Sequence, residues 1–301
     1  MGDPSALHPL TGLWRGESKR STEPAVAAMA SVLPKLVSGS SDKVRNAAAS
    51  AAGELKVADA GPSLRALAAD AARPPGSRVE ALRALDALKD AKLAEVVAAA
   101  MKDQAGPVRS EGLRILARLE PERAVDEAAA VLDTGAAAEK QAAFTTLGVI
   151  PGPKSDAVLT RWLTKLRAGE LPAEVRLDLT EAVAKRDAAE VKAALASYEG
   201  LRDPKDPLAA FRDALVGADA ERGRRIFREK AEVQCLRCHK VAGDGGEVGP
   251  ELAGVGRKKG REYILESIVT PNKQIAEGFE TQVIARENGQ VVAGIVKSED
   301  D

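Results

Sequence analysis

The segment ERGRRIFREKAEVQCLRCHKV, residues 221–241, holds both cysteines of the chain and one of its two histidines. Its first half reads as a short helix over 220–230, and it runs into Cys235-x-x-Cys238-His239. Beyond it lie a Gly-rich loop, GEVGPELAGVGRK (246–258), and a second helical stretch, REYILESIVTPN (261–272). Cysteine is confined to this one place, so there is no scattered disulfide framework and the chemistry is local.

Two thiols three residues apart can each add to one vinyl group of a haem, and a His directly after the second Cys then lies under the iron. Cys235, Cys238 and His239 would take those roles, with His239 as the expected metal ligand and haem c, covalently held with its iron, as the expected cofactor. A structural zinc site needs four N or S ligands, and beyond these three the chain offers only the distant His8. A thioredoxin-like redox pair requires a βαβ context, which the surroundings do not provide. A chance CxxCH carrying a plain disulfide is the remaining alternative.

Upstream the grammar changes. Hydrophobic residues are 45% of the chain but aromatics only 3%, so the apolar content is mainly Ala, Leu and Val, which is helix-forming material. The phrases DKVRNAAASAAGEL, SRVEALRALDAL, GPVRSEGLRIL, AEKQAAFTTLG and AEVRLDLTEAV align on Val44, Val79, Val108, Glu139 and Val175, at spacings of 35, 29, 31 and 36. That period reads as a stacked array of helix pairs. Gly and Pro punctuate it at 72–77, 103–107, 133–135, 151–153 and 169–172. The D..VR..A phrase resembles short HEAT-type repeats, and the fourth unit, without its Val-Arg pair, fits least well.

The 221–241 segment resembles the N-terminal helix and haem-attachment segment of class I c-type cytochromes, with Gly223 and Phe227 at its small and aromatic positions. GEVGPELAGVGRK resembles the family's Gly-Pro-x-Leu loop. The resemblance implies that the Pro250 carbonyl accepts from the His239 imidazole and that Leu252 packs on the haem. REYILESIVTPNKQI resembles the next helix, with Tyr263, Ile264 and Ile268 toward the haem and Pro271 ending it. Arg257 and Arg261 would then face the propionates. HEAT-like repeats followed by such a module resemble bacterial multidomain proteins that carry a haem-binding variant of the class I cytochrome domain at their C-terminus.

In that family a Met usually takes the iron's second axial position, but this chain has no Met after Met101. In its place GFETQVIARENGQVVAGIV alternates polar and apolar residues around Asn288-Gly289, which predicts a β-hairpin with strands near 279–286 and 290–297. The family variant resumes afterwards with a Met loop and a closing helix, so the module is expected to be incomplete at its C-terminus and the chain a fragment of a larger protein. Three readings of the sixth position follow: a Met beyond Asp301, a Lys such as Lys273 or Lys258, or an open site.

The expected fold class is all-α: a HEAT-like α-solenoid over 1–200, a linker over 201–217, and over 218–301 a small class I cytochrome c-like domain with a C-terminal hairpin and no closing helix. The expected function is single-electron transfer, with the repeats docking a donor domain or partner. Partners would be electron donor and acceptor proteins or a fused dehydrogenase domain. The alternative is an interaction scaffold with a haem-based redox or small-ligand sensor. No residue is singled out as catalytic. With 44 basic and 45 acidic residues the chain has no electrostatic footprint for nucleic acid. No window reaches the ~20 apolar residues of a membrane span. Covalent haem attachment implies a periplasmic or cell-surface location, although MGDPSALHPLTGLWRG carries no export signal.

Overall fold

The computed structural model describes residue 21 and residues 23–217, 219–230 and 232–296; His8 lies outside them. Helices α1 (Glu23–Ala30), α2 (Leu33–Val37), α3 (Asp42–Glu54), α4 (Gly61–Ala69), α5 (Pro75–Leu88), α6 (Leu93–Ala100), α7 (Gly106–Leu119) and α8 (Pro121–Thr134) follow one another through short turns. Next come α9 (Ala137–Val149), α10 (Pro153–Arg167), α11 (Arg176–Ala184) and α12 (Ala189–Glu199). Pro75, Pro107, Pro121 and Pro153 each occupy the first turn of a helix. There a missing N–H breaks no hydrogen bond and the fixed φ already suits a helix.

The chain divides into two compact units, residues 1–146 and 147–301. In the first, α3 packs on α5 and α5 on α7, while α2, α4 and α6 form a second row in which each touches the next. Leu64, Leu82, Leu85, Leu113, Ile115 and Leu116 are buried between the rows. Small residues let the helix backbones approach. A Cβ added at Gly53 would fall 3.1 Å from the Ala84 Cα, and in the second unit one at Gly148 would fall 2.9 Å from the Ala182 Cα. Gly148→Ala is therefore expected to destabilise the second unit by about 1–3 kcal/mol even though Ala is the better helix former. Urea denaturation checks this, and an unchanged midpoint would remove the close-packing account.

The recurring Val-Arg phrase has a physical purpose: its Arg turns back to satisfy carbonyls of the preceding loop. Arg45 donates to Gly39 O at 2.6 Å and Ser40 O at 3.1 Å, Arg109 to Asp103 O at 2.6 Å and Gln104 O at 2.8 Å, and Arg176 to Leu171 O at 3.0 Å. Of the partner valines, Val108 and Val175 are buried and Val44 is exposed. Further guanidinium groups tie neighbouring turns. Arg78 holds Asp103 in a two-pronged pair and Ala68 O at 3.1 Å, and Arg109 reaches Glu139. Burial would raise the Asp103 carboxyl, but Arg78 by hydrogen bond and charge, the Ala105 N–H and Arg109 together hold it below the usual carboxylate range. This contribution is present above about pH 4 and is lost as pH falls through the depressed value. Arg78→Ala should accordingly flatten the acid limb of the stability profile followed by circular dichroism, and a profile identical to the parent's would count against the pair.

In the second unit α10 packs on α11 and α12. Residues 201–217, expected as a linker, are folded. Asp203 and Asp206 accept the N–H groups of Lys205 and Leu208, each at 2.9 Å, and a 3-10 turn follows over Ala209–Leu215. Leu208 is only 3% exposed. Tyr198 donates to Asp213, and burial, followed by the Asp213 charge, pushes its phenol up to about 12, so it stays a donor. On the far side of this strap, Arg212 pairs with Glu262 at 2.8 Å and Arg261 donates to Leu215 O at 2.8 Å.

The remaining elements are short: α13 (Ala220–Glu229), α14 (Cys235–Cys238), β1 (Lys240–Val241), β2 (Asp244–Gly245), α15 (Val255–Lys258), α16 (Arg261–Val269), β3 (Gln282–Ala285) and β4 (Val291–Gly294). β1 pairs antiparallel with β2, and β3 with β4. The second pair is the hairpin expected around Asn288-Gly289, with shorter strands. Among the described residues after Leu208, none is buried.

Candidate haem site

Cys235 opens the single turn of α14 and Cys238 ends it, because Gln234 before it takes a left-handed conformation, φ 50°, that brings the chain sharply round from α13. Both thiols are free, Cys235 half-buried and Cys238 exposed. The His239 N–H donates to Cys235 O at 3.0 Å, closing the turn and setting the imidazole directly beyond the second cysteine.

The loop after β2 folds back onto this turn. Gly246 N donates to Leu236 O at 2.8 Å, Gly249 N to Cys238 O at 2.7 Å and Leu252 N to Lys240 O at 2.9 Å. Glu251 fastens the loop from outside by accepting the N–H groups of Ala242 and Ala253 at 3.1 and 3.2 Å. Lys240 pairs with Glu247 at 2.7 Å, and Glu247, by hydrogen bond and then by charge, holds the Lys240 ammonium above its usual value.

The result is a fixed imidazole. His239 Nδ1 lies 3.0 Å from Pro250 O, and since a carbonyl can only accept, Nδ1 carries a proton, which in the neutral ring leaves the lone pair on Nε2. Gly249 lies flat against the ring. A Cβ there would fall 2.7 Å from His239 Cε1 and 2.8 Å from Nδ1, so no larger residue fits without turning the imidazole. The Gly-Pro-x-Leu spacing does not show this role for Gly249, because the contact is made ten residues back along the chain.

The other expected residues are less closely gathered. Pro250 and Leu252 are half-buried beside His239, whereas Tyr263 is half-buried on α16 with the Lys259 ammonium 4.4 Å from its ring centre. Ile264 is half-buried and Ile268, one turn on, is 73% exposed. Arg257 is exposed and its guanidinium folds over Gly254, while Arg261 is engaged by the strap. Lys273 is paired with Glu266. Among the described residues no group of three or more His, Cys, Asp or Glu side chains could hold a bare metal ion.

These features fit a covalently held haem. The donor set is two free thiols on one turn and an imidazole whose second nitrogen is aimed by a backbone carbonyl. Around it the apolar side chains are half-buried or exposed rather than packed on one another, the environment in which a large apolar ring supplies the missing contacts. No described helix is long and apolar enough to cross a membrane. No curated protein matches the chain. A cytochrome c family model matches residues 220–299, so this region is a cytochrome c domain and its cofactor is haem c, covalently bound with its iron.

Proposed function

We propose that the chain carries single electrons, with Cys235 and Cys238 holding the haem as thioethers and His239 Nε2 ligating the iron. The observation that supports this most directly is the His239 to Pro250 hydrogen bond within a CxxCH turn. Bound haem supplies an iron that takes up and returns one electron. The chain's own residues do the rest. Pro250 fixes the tautomer and raises the basicity of Nε2, Gly249 leaves the ring room, and Leu252 and Tyr263 supply apolar cover.

The helices before residue 200 are read as HEAT-like repeats that dock an electron donor or acceptor, on the strength of the repeated Val-Arg device. Because c-type haem is attached outside the cytoplasm, a periplasmic or cell-surface location goes with this function.

Export of the chain to a haem-attachment system tests the reading. Haem should remain on the polypeptide after denaturation, and the reduced protein should exchange electrons rapidly without binding CO. Haem that can be extracted would remove the thioether assignment. A high-spin ferrous form that binds CO would replace the carrier by a ligand sensor. Gly249→Val should keep the thioethers yet displace the imidazole, so haem stays on the denatured chain while the low-spin absorption and resonance signals are lost. A variant spectrum matching the parent's would show that Gly249 does not position His239.

A further inference from the structure

The β3–β4 hairpin is a two-stranded ribbon with apolar side chains on both faces and nothing described beyond β3 on its other side. Val283 is 69% exposed and Val291 66%, and Ile284 and Val292 on the opposite face are also exposed. Such a ribbon is marginal alone in water, and a free edge is a template for another strand. Within β3 itself there is no charge, no Pro and no bulge to block it.

The ladder decides which groups face outward. Ile284 pairs with Val292 and Gln282 with Gly294, and Arg286 N donates to Gln290 O at 2.8 Å. Residues 282, 284 and 286 therefore turn their backbone groups toward β4, and Thr281, Val283 and Ala285 present theirs to the open edge.

We propose that this edge pairs antiparallel with β3 of a second copy of the chain, about a twofold axis through Val283. An outward-facing residue can pair only with another such residue, which restricts the register to steps of two. With Val283 opposite itself, Thr281 faces Ala285 of the other copy and Gln282 faces Ile284. Glu280 of each copy then stands opposite Arg286 of the other, at a position where side chains lie closest. Both residues are exposed. Sliding by one step either way puts Glu280 opposite Ile284 or Asn288 instead, so the two ion pairs single out one register. β4 offers no counterpart, because residues 290–296 carry no charge. The four-stranded sheet would place Val283, Ala285, Val291 and Ala293 of both copies on one continuous face.

The test uses the haem-loaded full chain in sedimentation equilibrium, with the absorption spectrum confirming that each variant is intact. The parent should dimerise reversibly. Glu280→Arg and Arg286→Glu should each weaken self-association by about tenfold or more, since each turns two opposite-charge pairs into like-charge pairs. Mixing the two variants should restore dimers, as heterodimers, because the charges again complement. Val283→Pro, which removes an outward N–H while sparing the hairpin ladder, should give a monomer. A parent that stays monomeric, charge reversals without effect, or a mixture that fails to recover would each overturn the proposal. A dimer that survives Val283→Pro would do the same by placing the interface elsewhere.

Discussion

Changing both Cys235 and Cys238 to Ala is expected to leave the polypeptide with no haem that survives denaturation, and to unfold the region after the strap. The first effect follows from losing both thiols, the second from packing. No described residue after Leu208 is buried, so the described part of this stretch builds no core from its own side chains. Its elements are also too short to persist alone; α14 and α15 are four residues each, and β1 and β2 are two each. Limited proteolysis should cut the double variant after the strap and leave the upstream helices intact, while the haem-loaded parent resists. A variant that keeps both its haem on a denaturing gel and its protease resistance would refute the thioether assignment.

The second large effect is expected at Arg186. Its side chain is 8% exposed and donates to Asp156 at 2.7 Å, to Ile150 O at 2.6 Å and to Gly152 O at 3.4 Å, joining the end of α11 to the turn between α9 and α10. Arg186→Ala strands a partly buried carboxylate and two loop carbonyls. The expected loss is about 2–4 kcal/mol, toward the lower side for a broken buried pair because Asp156 keeps some contact with water. Arg118, whose partner is Asp86 and whose side chain lies half in solvent, is the control, with an expected loss below about 1 kcal/mol. Urea midpoints followed by circular dichroism separate the two cases. Equal, small effects would mean that Arg186 is a bystander.

The helical region and the haem module were legible for different reasons. The Pro and Gly breaks predicted helix starts, and α5, α7 and α10 begin at or beside them. The Val-Arg phrase showed that something repeats but not what the Arg does, since its partners are carbonyls of a loop whose path is set by packing. Arg186 carries no signal in the sequence. It sits in AKRDAA, outside the repeating phrase, and its partners lie 30 or more residues away.

The ordered turns of residues 201–217 were not legible on local grounds. RDPKDP reads as a breaker, yet the same Asp residues that stop a helix cap the turns that fold it, and Arg212 bonds to Asp206 at 2.6 Å. In the hairpin, Asn288-Gly289 located the turn, and the strands run over 282–285 and 291–294, shorter than alternation alone suggested. In the candidate haem site the CxxCH spacing pointed to Cys235, Cys238 and His239 as the proposed donors. The contribution of Gly249 could not be read from spacing, because it depends on the loop closing over the ring.

A module in which no described residue is buried would tie the lifetime of the chain to cofactor supply. In a cell short of haem the helices up to Leu208 would fold while the segment beyond remained open to proteases, and synthesis would continue without accumulation of the intact chain. The abundance of full-length protein would then report how much haem had been delivered to it rather than how much of it had been made, and unloaded copies would be cleared before they could occupy a partner.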